Sequence, residues 1–122
     1  MLDADTIVCA DGGETSQWAE LAARPQRPGQ FTGHGYLGCL GMGMPFAIGA
    51  QVAHPDKRVV CIVGDGAAGL NIQEFDTMVR HNLPIVTVVL NNKAWGMCVH
   101  GQQQMYGANR LVVTMLGSSR YE

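Results

Sequence analysis

The sequence predicts an α/β fold, a doubly wound parallel sheet with helices on both faces. Three observations carry that prediction. Strand-sized apolar runs, TIVCAD, VVCIVGD and LPIVTVVLNN, alternate with segments of helical period. The runs are rich in β-branched residues and show no polar alternation, the pattern of strands covered on both faces. Each run also ends in a polar or glycine-rich stretch, and in such sheets ligands bind at the carboxyl ends of the strands.

The elements follow in chain order. TIVCAD (6–11) reads as a buried strand, and GETSQWAELAA (13–23) as a short helix ended by the Pro/Arg-rich RPQRPGQ. FTGHGYLGCLGMG (31–43) carries too many glycines for either element and reads as loop. MPFAIGAQVA (44–53) reads as a buried helix with Pro45 in its first turn. HPDKR (54–58) is a turn, VVCIVGD (59–65) a buried strand, and GDGAAG a glycine turn. In 69–82, Leu70, Ile72, Phe75, Met78 and Val79 recur at helical spacing. LPIVTVVLNN (83–92) is the next buried strand, and LVVTMLGSSRYE reads as a further apolar segment followed by a loop. A doubly wound sheet normally continues beyond such a point, so the chain is expected to stop within its domain. No internal repeat is visible.

Composition narrows the function classes. The 122 residues are 47% hydrophobic and 15% charged, which argues for a packed core and against disorder. A net charge of −2 without a basic run argues against nucleic acid as a partner. No apolar run has the length of a membrane span, and the acidic start MLDADTIVCADGG lacks the basic head of a signal peptide. Cys9, Cys39, Cys61 and Cys98 form no C-x-x-C pair. They read as reduced thiols, with disulfides or zinc as alternatives, and favour a cytoplasmic setting.

GDGAAG fits the G-x-G-x-x-G template of a phosphate-cradling loop, yet Asp65 stands between its glycines. A carboxylate ~4 Å from a phosphate, at an effective dielectric of 20, is repelled by about 4 kcal/mol. A divalent cation between the two anions reverses the sign. Magnesium suits such a site, because it combines a few hard oxygen ligands with phosphate oxygens and water. Asp65 supplies charge, and the Asn91–Asn92 pair ending the next run supplies a neutral amide oxygen. The competing reading is a dinucleotide-binding module using GDGAAG. It needs an acidic residue at the end of the following strand, where Asn91–Asn92 stand instead. A truncated, non-catalytic remnant of either is a further alternative.

GDG followed by NN resembles the thiamine-diphosphate motif of the pyruvate-oxidase and acetolactate-synthase superfamily. The resemblance covers nearly the whole chain, from GHGYLGCLGMGMPFAIGAQVAHPDKRVVCIVGDG to EFDTMVRHNLPIVTVVLNNKAWG. NNKAWGMCVHGQQ and GANRLVVTMLGSSRY are most similar to benzaldehyde-lyase-like members. The resemblance implies thiamine diphosphate and Mg2+ as cofactors and carbon–carbon lyase or carboligase chemistry on 2-oxo acids or 2-hydroxy ketones and aldehydes. It implies Asp65, the Asn92 side chain and the Ala94 carbonyl as metal ligands. It places Gly64, Gly66 and Ala67 along the diphosphate, with Trp95 and Gly96 closing over the metal loop. Gly12, Gly13 and Glu14 contact the diphosphate, Glu14 through its backbone because its charge is unfavourable there.

The resemblance further makes the Gly38 carbonyl an acceptor for the aminopyrimidine amino group, and Leu40 the apolar wedge beneath the cofactor. It implies an activating glutamate on a separate pyrimidine-binding domain. None of Glu14, Glu20, Glu74 and Glu122 has that context, so no catalytic residue is assigned here. Residues 1–122 are thus expected to be one incomplete diphosphate-binding domain of a homo-oligomeric enzyme, lacking its pyrimidine-binding and central domains.

Simpler readings stand beside these. Asp65 and Asn91–Asn92 also suit ordinary turns and caps, and Leu40 and Trp95 also suit plain packing. His34 and His100 read as structurally bonded before substrate-contacting, and His54 and His81 as surface groups. Met97 to Gln104 is a candidate pocket wall, because that segment is one in the family. Met105 and the other methionines read as core filler.

Overall fold

The β-branched runs become strands and the glycine-bounded segments between them become helices. The computed structural model describes residues 2–121. Its elements run β1 (Ile7–Asp11), α1 (Gly13–Ala23), β2 (Phe31–Thr32), α2 (Gly43–Ala53), β3 (Val59–Gly64), α3 (Asp65–Leu70), α4 (Glu74–Arg80), β4 (Val86–Leu90) and α5 (Gly96–Tyr106). All strand pairs are parallel, in the order β2-β1-β3-β4. β1 and β3 lie centrally in register from Ile7↔Val59 to Asp11↔Val63.

The core forms where these two strands are covered on both sides. Cys9, Ala47, Val59, Cys61 and Ala68 are fully buried, with Met44 and Met78 packed among them. Burying each Val or Met side chain contributes roughly 1.5–3 kcal/mol. α1 packs on β1 and β3 and touches α5, whereas α2 packs on the same strands and touches α3 and α4. The chain leaves β1 towards β2 and returns past β1 to β3. Right-handed crossovers therefore put α1 and α2 on opposite faces. The strand order reverses between β1 and β3, which opens a crevice at their carboxyl ends.

Several expectations need correction. The segment 31–43 is not loop throughout: Phe31–Thr32 pair with β1 as a short strand. GDGAAG is not a glycine turn, because helix α3 begins at Asp65 itself. The helix expected over 69–82 is broken at Asn71, whose side-chain amide donates to the Gly41 carbonyl, and it resumes at Glu74. Met78 is buried from its apolar stripe, while Leu70, Ile72 and Val79 are exposed. β4 is not buried on both faces: it pairs with β3 alone, and Val86, Val88 and Leu90 are exposed. α2 buries one face, with Phe46 and Val52 in solvent. Among the described residues the tail forms no regular element beyond a bridge of Met115 to Ala94, and Val112, Val113 and Met115 are exposed. Met97 and Met105 are likewise exposed rather than core.

Candidate functional site

The crevice at the β1/β3 switch opens into a cavity of about 220 Å³. The structure brings the residues assigned to the cofactor and metal to its wall, but not Asn91 or His100. The β1–α1 junction supplies Gly12, Gly13 and Glu14, and the glycine-rich loop supplies Gly38 and Leu40. The β3–α3 junction supplies Gly64, Asp65, Gly66 and Ala67, and the segment after β4 supplies Asn92, Ala94, Trp95 and Gly96.

The glycines let these four segments close on one another. Gly12 has φ +107°, and a Cβ there would lie 3.3 Å from the Gly64 nitrogen. A Cβ on Gly66 would lie 2.5 Å from the Trp95 ring, so that ring rests directly on the glycine. Asp11, 1% exposed, fixes the entrance from below. Its carboxylate accepts from the Gly12 N–H at 2.7 Å and from the Gly43 N–H, at the start of α2, at 2.8 Å. Leu40 both lines the cavity and packs against the core.

Asp65 is the unusual group. It is 5% exposed, lines the cavity, and its carboxylate has no hydrogen-bond or ion-pair partner among the described residues. Its oxygens are not among the sealed unpartnered atoms of the described residues, so the carboxylate opens onto the cavity, where a cation can reach it. Asn92 and Ala94 line the same cavity. The Asn92 amide oxygen accepts from the Ala94 N–H at 3.0 Å, which leaves it a second lone pair. The Ala94 carbonyl accepts no backbone hydrogen bond among the described residues. One charged and two neutral hard oxygens fit a magnesium-like cation. No group of three or more His, Cys, Asp or Glu converges among the described residues, and all four cysteines are free, so the zinc and disulfide alternatives find no support.

Thr15 went unassigned in the sequence: it lies over Gly64, with its Oγ1 3.0 Å from where a Cβ would stand, and its place two positions after Gly13 was a legible signal. Of the segment Met97 to Gln104, expected as a pocket wall, Met97 and Cys98 line the cavity. His34 also lines the cavity: Nδ1–H donates to the Gly35 carbonyl at 3.0 Å, and Nε2 lies 3.1 Å from the Ser16 hydroxyl. His100 is structurally bonded, its Nδ1 donating to the Glu14 carboxylate. The tail ties the site together. Thr114 accepts from the Trp95 N–H at 2.8 Å, Leu116 donates to Lys93 at 2.7 Å, and the Tyr121 hydroxyl donates to the Asp65 carbonyl at 3.1 Å. Nothing local in the sequence marks those partners.

The family described as "Thiamine pyrophosphate enzyme, C-terminal TPP binding domain" matches residues 11–119. The chain belongs to this family. The thiamine-pyrophosphate (thiamine-diphosphate) domain is 37% identical over 117 residues to a probable acetolactate synthase large subunit of Methanococcus aeolicus, covering 96% of this chain and 20% of that protein. It is 42% identical over 113 residues to the acetolactate synthase isozyme 2 large subunit of Escherichia coli strain K12, covering 93% of this chain and 20% of that protein. It is 36% identical over 122 residues to 2-hydroxyacyl-CoA lyase 2 of Xenopus laevis, covering all of this chain and 18% of that protein. The chain thus spans about one fifth of the length of the relatives it matches. Membership in a thiamine-diphosphate family sets aside the dinucleotide reading. No helix among the described residues is long and apolar enough to cross a membrane.

Proposed function

We propose that this domain anchors the diphosphate end of thiamine diphosphate through Mg2+, as one part of a homo-oligomeric acetolactate-synthase-like or 2-hydroxyacyl-CoA-lyase-like enzyme. Asp65, the Asn92 amide oxygen and the Ala94 carbonyl hold the ion. The backbone of Gly12, Gly13, Glu14, Gly64, Gly66 and Ala67 faces the diphosphate, and Trp95 and Gly96 close over it. The single observation that carries this reading is Asp65, whose carboxylate opens without a side-chain partner among the described residues onto a cavity that Asn92 and Ala94 also line. A cavity of about 220 Å³ is smaller than the ~300–1,000 Å³ of complete small-molecule pockets. That size suits the diphosphate half of the cofactor, with the rest held by another domain.

When bound, the cofactor supplies the electron sink for making or breaking a carbon–carbon bond beside a carbonyl of a 2-oxo acid, 2-hydroxy ketone or aldehyde. This chain's residues bind and orient. Leu40 would support the cofactor with an apolar side chain, and the Gly38 carbonyl would accept from its amino group, roles that hold reacting atoms at close range. The activating glutamate belongs to a pyrimidine-binding domain outside these 122 residues, and the assembled enzyme works in the cytoplasm.

Equilibrium dialysis with thiamine diphosphate tests the reading. The purified chain should take up cofactor with Mg2+ and lose that uptake in excess EDTA, without catalysing turnover. Uptake indifferent to EDTA, or turnover by the chain alone, would contradict it.

A further inference from the structure

Glu14 places a second carboxylate on the wall of a cavity that, on the reading above, receives an anion. Unlike Asp65 it has a partner. His100 Nδ1 donates to its Oε1, and its Oε2 lies against Gly96, where an added Cβ would stand 2.4 Å away. Both oxygens are therefore turned onto the first half of α5. No Lys or Arg pairs with Glu14 among the described residues. His100 is its one counter-group, with the two side chains 67% and 28% exposed respectively. α5 buries no residue of its own, so this contact and Met97 against Gly13 are what seat it on α1.

We propose that His100 is a positioning residue for cofactor affinity: through its Nδ1 hydrogen bond it holds the Glu14 carboxylate on α5, leaving the backbone of Gly12–Gly13 and Gly64–Gly66 to the diphosphate. The proposal rests on the diphosphate reading. Without His100, the Glu14 carboxylate swings free in the cavity and repels the incoming anion. The two residues then act on affinity as a unit, and the role of His100 exists only while residue 14 is an acid.

Calorimetric titration of thiamine diphosphate in excess Mg2+ tests this on the wild-type chain, H100Q, H100R, E14Q and the E14Q/H100Q double variant. Both side chains are partly exposed, and a thermal melt of each variant confirms folding. H100Q should weaken binding roughly tenfold, about 1.4 kcal/mol. H100R, which keeps a side-chain donor for the carboxylate, should stay within about threefold of wild type. E14Q should tighten binding, and adding H100Q to E14Q should change nothing further. An equal loss from H100Q in both backgrounds, failure of H100R to rescue, or tighter binding by H100Q overturns the proposal. No uptake by the wild-type chain overturns the diphosphate reading itself, an outcome separate from any pattern among the variants.

Discussion

Asp65 is 5% exposed, and its carboxylate opens onto the cavity without a side-chain partner among the described residues. Asp65→Asn removes the charge and keeps the shape, so it should leave the stability of the metal-free chain within about 1 kcal/mol of wild type. It should weaken Mg2+-dependent cofactor uptake by roughly 100-fold, the order expected for losing the one charged ligand of the proposed metal site. A larger fall in the thermal midpoint would show that the carboxylate has a structural partner. Gly66 makes a second prediction, because a Cβ there would stand 2.5 Å from the Trp95 ring. Gly66→Ala should displace that ring and shift the tryptophan emission, read in a Trp18→Phe background. At this scale the sequence singled out Asp65, an acid between phosphate-loop glycines, and the structure puts it on the cavity wall. The sequence was silent about Tyr121, which reaches Asp65 across 56 positions, and about the bond between His100 and Glu14, 86 positions apart.

Among the elements, Asp11 joins β1 to α2. Its carboxylate, 1% exposed, accepts the Gly12 and Gly43 N–H groups. Asp11→Ala should cost roughly 3 kcal/mol in denaturant unfolding, since hydrogen bonds to charged groups contribute about 1.5–3 kcal/mol each. A cost below ~1 kcal/mol would show that the α2 entrance is held by packing instead. The strands were legible because their β-branched runs are short and bounded by turns. The break at Asn71 was not, because its cause is a tertiary bond to Gly41, and local periodicity carries straight through it. Nor was the exposure of β4, since an apolar run does not reveal how many neighbours its strand has. The tail was misread for a related reason: Thr114 and Leu116 are held by backbone bonds to Trp95 and Lys93, which leave no pattern in side-chain polarity.

Across the whole molecule, the parallel sheet fixes both thiol chemistry and the site. Cys9 and Cys61 are register partners on the two central strands. Burial pushes their thiols up to about 11 and about 12. Cys39 and Cys98 are exposed, so a thiol reagent at pH 8 should modify two sites quickly and the other two only on unfolding. The folded state favours the protonated thiols of the raised pair. Their contribution is therefore complete below the ordinary thiol value of 9.0 and is lost as pH climbs towards about 11 to 12. Unfolding free energy should decline over that window, and less steeply in a Cys9→Ala/Cys61→Ala chain. The same sheet reverses strand order between β1 and β3, and the glycine junctions after those strands meet at the cavity. Substituting Mn2+ for Mg2+ tests the proposed metal bridge directly. In the ternary complex with thiamine diphosphate, pulsed electron paramagnetic resonance should show 31P coupling to protein-bound Mn2+ in the wild-type chain and none with Asp65→Asn. Cofactor bound to the chain while the Mn2+ stays free in solution would contradict the central claim.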